Sequence, residues 1–158
     1  MILRTAGRLA LAATAFFGLC GFQFGQLPPQ YNPNHYVNDD PAWSLLSDAQ
    51  VSSDMKRGVY SASFPPDLKS LENKPFTISG FMMPLEATPT SAHFVLIRRN
   101  SACPFCPPNS PTEAVEVLSN AKVRYTGEEI SVTGRLKLVG SSATGLFFQL
   151  EAADVKAG

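Results

Sequence analysis

The pair of cysteines in the middle of the chain is the arrangement with the clearest chemistry. Cys103 and Cys106 stand in the run ACPFCPP over residues 102–108. A Cys-x-x-Cys pair can cycle between a dithiol and a disulfide, supply half of a metal site, or form a local disulfide. The spacing alone leaves these three uses open, and it makes the two cysteines the candidate site residues.

A thioredoxin-type redox use of the pair fits its flanking residues poorly. In such sites the first cysteine opens a helix, and the helix N-terminus lowers the pKa of its thiol. Here Pro107 disfavours helical geometry at Cys106. Arg98 and Arg99 could supply positive charge instead, so a thiol-redox module that cycles a disulfide between Cys103 and Cys106 remains the alternative function.

A metal site built on the pair depends on further ligands. A closed zinc site needs four, and His93, ten residues before Cys103, is the candidate third. If residues 93–99 form a strand, it spans about 20 Å at roughly 3.3 Å per residue, which places His93 at the end remote from the cysteines. His93 is therefore considered and not favoured as a ligand. The thiolates of Cys103 and Cys106 alone suit Cu(I), or zinc shared between chains.

A disulfide between the two cysteines is the structural alternative. The loop-entropy relation gives about 2 kcal/mol for so small a loop, against about 3 kcal/mol for fifteen residues. The neighbouring prolines already stiffen the segment, which reduces the gain further. We therefore expect Cys103→Ser to cost the oxidised protein less than about 2 kcal/mol.

The first residues of the chain have the order of a secretory signal. Arg4 and Arg8 precede an uncharged apolar run, LALAATAFFGLC, over residues 9–20. Small residues then allow cleavage before Gly21. Residues 1–21 are therefore predicted to be a signal peptide of an exported protein, or an uncleaved membrane anchor, and membrane contact is expected only through this segment.

Composition excludes several classes of partner. The formal net charge is zero, with 13 basic and 13 acidic residues, which argues against nucleic acid and against an anionic membrane surface. The hydrophobic content of 44% is ordinary for a globular domain. With Cys20 removed, two cysteines remain, and an even number in an oxidising compartment favours a disulfide over free thiols.

The segment before the main domain shows little apolar periodicity. Residues 22–40 are rich in Pro, Asn and Gln and are predicted to be an extended linker, followed by a helical or irregular lead-in over residues 41–73. Asp40 and the following Pro41 are typical of a helix N-terminus. Trp43, the only tryptophan, and Leu46 then share one helix face and are expected to pack on the domain. The stretch from 51 to 60 is ambiguous.

Residues 74–155 are predicted to be mainly β. Residues 76–84 and 130–138 alternate apolar and polar side chains and each contain an internal glycine, Gly80 and Gly134, typical of a bulge or tight bend. Further strands are predicted at residues 93–99, 114–118 and 145–150. Five strands, two of them bent, indicate a small Greek-key barrel of the OB type.

The stretch over residues 110–121 also admits a helix. Ser110 and Glu113 have the spacing of a capping box. Val115 and Val117 alternate with Glu116, however, and this alternation favours a strand.

No other group of residues forms a catalytic constellation, so a non-enzymatic function is favoured. The adjacent acids Asp39-Asp40 and Glu128-Glu129 are expected to point apart and to face solvent on a strand or loop. Three phenylalanines are expected to serve core packing or partner binding: Phe81, Phe147 and Phe148.

An ordered set of short motifs resembles the bacterial domain-of-unknown-function family numbered 3299. The resemblance covers about residues 40–155 and is carried by GFMMPL at 80–85, HFVL at 93–96, CPFC at 103–106, VEV at 115–117 and VTGRL at 132–136. It implies an exported bacterial protein with no established activity, often encoded beside ABC-transporter components. We therefore expect a periplasmic accessory protein that binds a partner or a soft metal through the CPFC loop, in association with an ABC transporter.

Overall fold

The computed structural model describes residues 37–54, 56–100 and 110–157. The predicted signal peptide or anchor, most of the predicted linker, and the segment that carries Cys103 and Cys106 lie outside these residues. In the described part of the chain, no helix is both long enough and apolar enough to cross a membrane.

The described residues form two short helices and eight strands. The helices are α1 (Pro41–Ser47) and α2 (Pro66–Lys69), and a 3₁₀ turn covers Pro111–Glu113. The strands are β1 (Gln50–Asp54), β2 (Val59–Ser63), β3 (Pro75–Pro84), β4 (Thr90–Ile97), β5 (Ala114–Arg124), β6 (Glu129–Leu138), β7 (Ser141–Ser142) and β8 (Phe148–Ala157).

Five of the strands close into a barrel in the order β3-β4-β5-β8-β6. β5 and β8 are parallel, and the other neighbouring pairs are antiparallel. Numbered along the chain, the barrel strands follow the order 1-2-3-5-4, which is the Greek-key arrangement of the OB fold. The predicted fold class, a mainly β five-stranded barrel with a short N-terminal helix, is confirmed.

The helix α1 forms for the reasons that its sequence suggests. The Asp40 carboxylate accepts the backbone N–H of Ala42 at 2.9 Å, and Pro41 occupies the first helical position. Trp43 and Leu46 are fully buried against the barrel. The Trp43 indole N–H donates to the Ser79 carbonyl at 2.7 Å, so the helix is joined to β3 by a hydrogen bond as well as by packing.

The two predicted bend glycines occupy crowded places in the barrel. β3 pairs with β6 from Pro75 to Phe81 and with β4 from Phe81 onward, so Gly80 lies where the strand changes partners. Gly134 lies at a register shift between β6 and β8. A Cβ atom at Gly80 would lie 2.7 Å from the Ile97 carbonyl oxygen, which explains why only glycine fits there.

The lead-in over residues 41–73 contains a hairpin that its sequence did not predict. β1 and β2 pair antiparallel and join the short β7 in a three-stranded sheet separate from the barrel. Both strands are largely exposed, and their apolar residues do not alternate. Hydrophobic periodicity therefore carries no signal for these strands.

The predicted limits of two barrel strands also change. β8 begins at Phe148 rather than at residue 145, because Gly145 adopts a positive φ of 79° in the turn before it. β5 continues to Arg124 through a largely exposed polar half. The helix that residues 110–121 also allowed is limited to the single 3₁₀ turn, in which the Ser110 hydroxyl accepts the Thr112 N–H.

Candidate functional site

The cysteine segment is joined to the barrel between the end of β4 and the start of β5. Asn100 is the last described residue before it, and Ser110 is the first after it. The Asn100 side-chain amide donates to the Gly127 carbonyl at 3.0 Å. The Ser110 carbonyl accepts the Glu113 backbone N–H at 3.0 Å. The Asn100 end is therefore hydrogen-bonded to the β5–β6 connection, and the Ser110 end caps the 3₁₀ turn that leads into β5.

An ion-pair cluster ties the two ends to each other. The Arg98 backbone N–H donates to the Glu113 carbonyl at 3.1 Å, which extends the β4–β5 pairing past the strands. The Glu113 carboxylate lies 3.2 Å from the Arg99 Nε and 3.6 Å from an Arg98 guanidinium nitrogen. Its side chain is only 12% exposed, so these contacts are partly shielded from solvent.

The residues just before α1 add further backbone contacts at this end of the barrel. Val37 forms an isolated antiparallel bridge with Arg99. The Asn38 backbone N–H donates to the Arg98 carbonyl at 2.9 Å, and the Arg98 Nε donates to the Asn38 carbonyl at 3.2 Å. The arginines that flank the cysteine segment are thus held by Glu113 and by the backbone.

The two acidic dipeptides of the sequence meet at one cleft beside Asn100. The cleft has a volume of about 760 Å³ and is lined by Val37, Asn38, Asp39, Asp40, Ser79, Phe81, Asn100, Gly127, Glu128 and Glu129. The expectation that the paired acids simply point apart into solvent therefore misses their common location. It could not be found in the sequence because it depends on the β3–β6 register, in which Phe81 lies opposite Glu129.

The four carboxylates of the cleft differ in their hydrogen bonds and in their exposure. Both oxygens of Asp40 accept backbone N–H groups, one in α1 and one at Ser79. Asp39, Glu128 and Glu129 are exposed, and none of them forms an ion pair with a described residue. The described residues that line the cleft include no Lys, Arg or His, so together they carry net negative charge.

A second cavity lies at the other end of the cysteine segment. It is an apolar groove of about 340 Å³ lined by Tyr60, Met83, Leu85, Val95, Pro111, Ala114, Thr144, Gly145 and Leu146. Pro111 directly follows Ser110, so the groove begins where the segment rejoins the domain. The cleft and the groove therefore bracket the attachment points of the cysteine segment.

His93 lies in the half of β4 that is remote from Asn100. It stands opposite Leu118 in β5, whereas Ile97 at the strand end stands opposite Ala114. Its Nε2 atom lies 2.7 Å from a Glu116 carboxylate oxygen, and its side chain is half exposed. Among the described residues, no cluster of three or more His, Cys, Asp or Glu side chains is arranged to hold a metal ion.

The phenylalanines considered for partner contacts serve packing. Phe147 and Phe148 are fully buried in the barrel core, and Phe148 makes an edge contact with Phe64. Phe81 is 7% exposed and belongs to a second apolar cluster on the outside of β3, β4 and β5.

Comparison with known proteins places this architecture in a family. The sequence profile of a protein family of unknown function, DUF3299, matches residues 30–156. A solved structure of a DUF3299 family protein from Pseudomonas aeruginosa PAO1 is similar, with 20% sequence identity and a TM-score of 0.48 over 61% of this chain and 67% of that chain. Among curated proteins, none matches significantly. The chain therefore belongs to the DUF3299 family of proteins of unknown function.

Proposed function

We propose that this protein is an exported, non-enzymatic accessory protein whose CPFC segment binds a protein partner or a soft metal ion. The observation that carries the proposal is the way the domain holds the ends of that segment. Asn100 on one side is hydrogen-bonded to Gly127 in the β5–β6 connection. Ser110 on the other side caps the 3₁₀ turn whose Glu113 pairs with Arg98 and Arg99. A binding segment fixed at both ends loses less conformational entropy on binding than a free one.

The residues of the segment determine the class of metal. Two thiolates, those of Cys103 and Cys106, are too few for a closed zinc site. They match the preference of Cu(I) for soft sulfur ligands, and two chains together would supply four thiolates to one zinc ion. His93 is not proposed as a ligand, because it lies in the half of β4 remote from Asn100 and its Nε2 pairs with Glu116 of β5.

The proposed location rests on the composition of residues 1–21. The basic and apolar order of residues 1–21 supports export to the periplasm, with the segment cleaved or kept as an inner-membrane anchor. The partner expected there is a component of an ABC transporter. Cross-linking in cells should therefore recover a transporter component with the wild-type chain and lose it with Cys103→Ser/Cys106→Ser.

The proposed metal binding is tested by a competition assay for Cu(I) and by a zinc-binding assay. The free thiols of the same samples are counted in parallel. The wild-type chain, reduced and purified from its native compartment, should bind one of these ions, and Cys103→Ser/Cys106→Ser should bind neither. His93→Gln is the matched control, since it removes a metal-ligating side chain outside the segment and should leave binding unchanged.

Three results would contradict the proposal or redirect it. Equal metal and partner binding by wild type and the double variant would refute a binding role for the segment. Loss of binding in His93→Gln would move the metal site to β4. A reversible disulfide in the wild-type chain, with neither metal nor partner bound, would establish the thiol-redox alternative.

The stability of the oxidised protein separates binding from a purely structural disulfide. Because so small a loop returns little entropy, Cys103→Ser should lower the free energy of unfolding by less than about 2 kcal/mol. Thermal unfolding of the wild type and the variant measures this difference. Loss of the folded state in the variant would identify the pair as a structural disulfide.

A further inference from the structure

The outer face of β3, β4 and β5 is apolar where a solvated barrel surface is ordinarily polar. Successive side chains of a strand point to opposite faces of the sheet. A residue that neighbours a core residue in the sequence therefore points out of the barrel. On these three strands the outward residues form a cluster separate from the core: Phe81, Val95, Ile97 and Ala114, with Met83 and Leu146 packed against it. The four cluster residues are only 0–7% exposed, so the part of this face open to a partner is the groove beside them.

The apolar groove opens on this face and has exposed apolar side chains at its rim. Leu85 is 44% exposed and Tyr60 is 37% exposed, while Val95 and Ala114 in the lining are buried. Its volume of about 340 Å³ is at the lower end of the range for ligand pockets, roughly 300–1,000 Å³. A groove of this size suits one or two apolar side chains of a peptide segment.

In the part of the chain that the structure describes, the groove lining has no charged side chain, and the neighbouring cleft supplies negative charge. Phe81 lines the cleft and packs in the same outer apolar cluster as Val95 and Ala114, which line the groove, so both cavities border this cluster. Of the cleft residues that the structure describes, four are carboxylates and none is basic. Arg98 and Arg99, at the end of β4, share the single carboxylate of Glu113. The four carboxylates of the cleft and that of Glu113 still outnumber these two arginines, so the described surface next to the groove is complementary to positive charge.

We propose that the groove docks an apolar segment of a protein partner, and that basic residues flanking this segment lie in the acidic cleft. The inference rests on the proposed function, because it specifies the chemistry of the partner expected at the same end of the barrel. Apolar anchors supply most of the binding free energy in such complexes, and flanking charges set orientation and association rate. A nucleic acid or an anionic lipid is disfavoured by the negative cleft.

The test uses two short synthetic peptides with a leucine pair, one flanked by lysines and the other by glutamates. Fluorescence anisotropy with the full chain should show that the lysine peptide binds at least about tenfold more tightly at low salt, and that raised salt reduces the difference. Leu85→Ser should weaken binding of the lysine peptide about fivefold to tenfold. Glu128→Gln/Glu129→Gln should weaken it about threefold and reduce its salt dependence.

Matched controls exist for both kinds of substitution. Leu118→Ser removes a leucine that is 38% exposed and lies outside the groove, and Glu72→Gln removes an exposed carboxylate outside the cleft. Neither control should change peptide affinity by more than about twofold. If Leu85→Ser fails to fold, amide shifts of the wild type on adding the lysine peptide give the same answer, since they should concentrate at Met83 and Leu146.

Several outcomes would overturn the inference. Equal affinity for both peptides, no binding of either, or shifts confined to the opposite side of the barrel would each refute it. The proposed function is scored separately, with Cys103→Ser/Cys106→Ser and the metal and cross-linking assays. If neither peptide binds but metal or partner binding still depends on Cys103 and Cys106, only the groove inference is refuted. Binding of the lysine peptide as expected, together with metal and partner binding unchanged in Cys103→Ser/Cys106→Ser, would refute the proposed function alone.

Discussion

Gly80→Ala is predicted to destabilise the fold by wedging α1 and β4 away from β3. A Cβ atom at Gly80 would lie 2.7 Å from the Ile97 carbonyl oxygen and 3.1 Å from the Trp43 ring. The carbonyl belongs to the paired strand β4 and cannot rotate away as a flexible side chain does. The substitution therefore forces a backbone shift where three elements meet.

The expected magnitude follows from two opposing effects. Overpacking a well-packed core costs about 1–3 kcal/mol, and a clash with backbone places Gly80→Ala near the upper end. Replacing glycine also restricts the unfolded chain, which returns about 0.4–1 kcal/mol. The net loss in the free energy of unfolding should be about 2 kcal/mol. For a domain of this size, that loss lowers the melting temperature by roughly 6–10 °C.

Urea unfolding monitored by tryptophan fluorescence measures this loss directly. Trp43 is the only tryptophan and is fully buried, so its emission reports the docking of α1. Gly127→Ala is the matched control, because a Cβ atom there would meet nothing within 4 Å. The control should be within about 0.5 kcal/mol of wild type. A Gly80→Ala protein as stable as the control would refute the close-packing explanation for this glycine.

Three further predictions follow from particular contacts. Asp40→Ala should lower the free energy of unfolding by about 2–3 kcal/mol, measured in urea, because it frees two backbone N–H groups. Ala152→Gly should stabilise the protein by up to about 1 kcal/mol, because Ala152 has a φ of 48°, whereas Ala153→Gly in the core should destabilise it by about 1 kcal/mol. The side-chain hydrogen bond from Arg57 lowers the pKa of Asp54 below its ordinary value of 3.8, so this contact stabilises the fold above that pH and is lost as the pH falls through the lowered pKa. In an NMR titration, Arg57→Ala should raise the Asp54 midpoint, and an unchanged midpoint would contradict this assignment.

The barrel was predictable because its strands report their environment in the sequence. Buried residues alternate with more exposed ones in β6 and in the first half of β3, and glycine marks the positions where the backbone is crowded. The β1–β2 hairpin gave no such signal, since its side chains are mostly solvated. The prediction for α1 depended on the local residues Asp40, Pro41 and Trp43, and it was confirmed.

The candidate site was only partly predictable, because its walls come from distant parts of the chain. The cysteine pair is a local motif, so its spacing alone identifies it in the sequence. The cleft depends on the β3–β6 register, which brings the acids at 39–40 and 128–129 to one place. The groove requires the β7–β8 connection to approach β4 and β5. No local pattern in the sequence contains these pairings.

The measurement that tests the central claim most directly is the content of metal and cross-linked partner in protein purified from its native compartment. Wild type and Cys103→Ser/Cys106→Ser are compared after equal folding has been verified by Trp43 fluorescence. A folded double variant that has lost the bound metal or the partner is the predicted result. A folded double variant that retains both in wild-type amounts would contradict the assignment of the CPFC segment as the binding element.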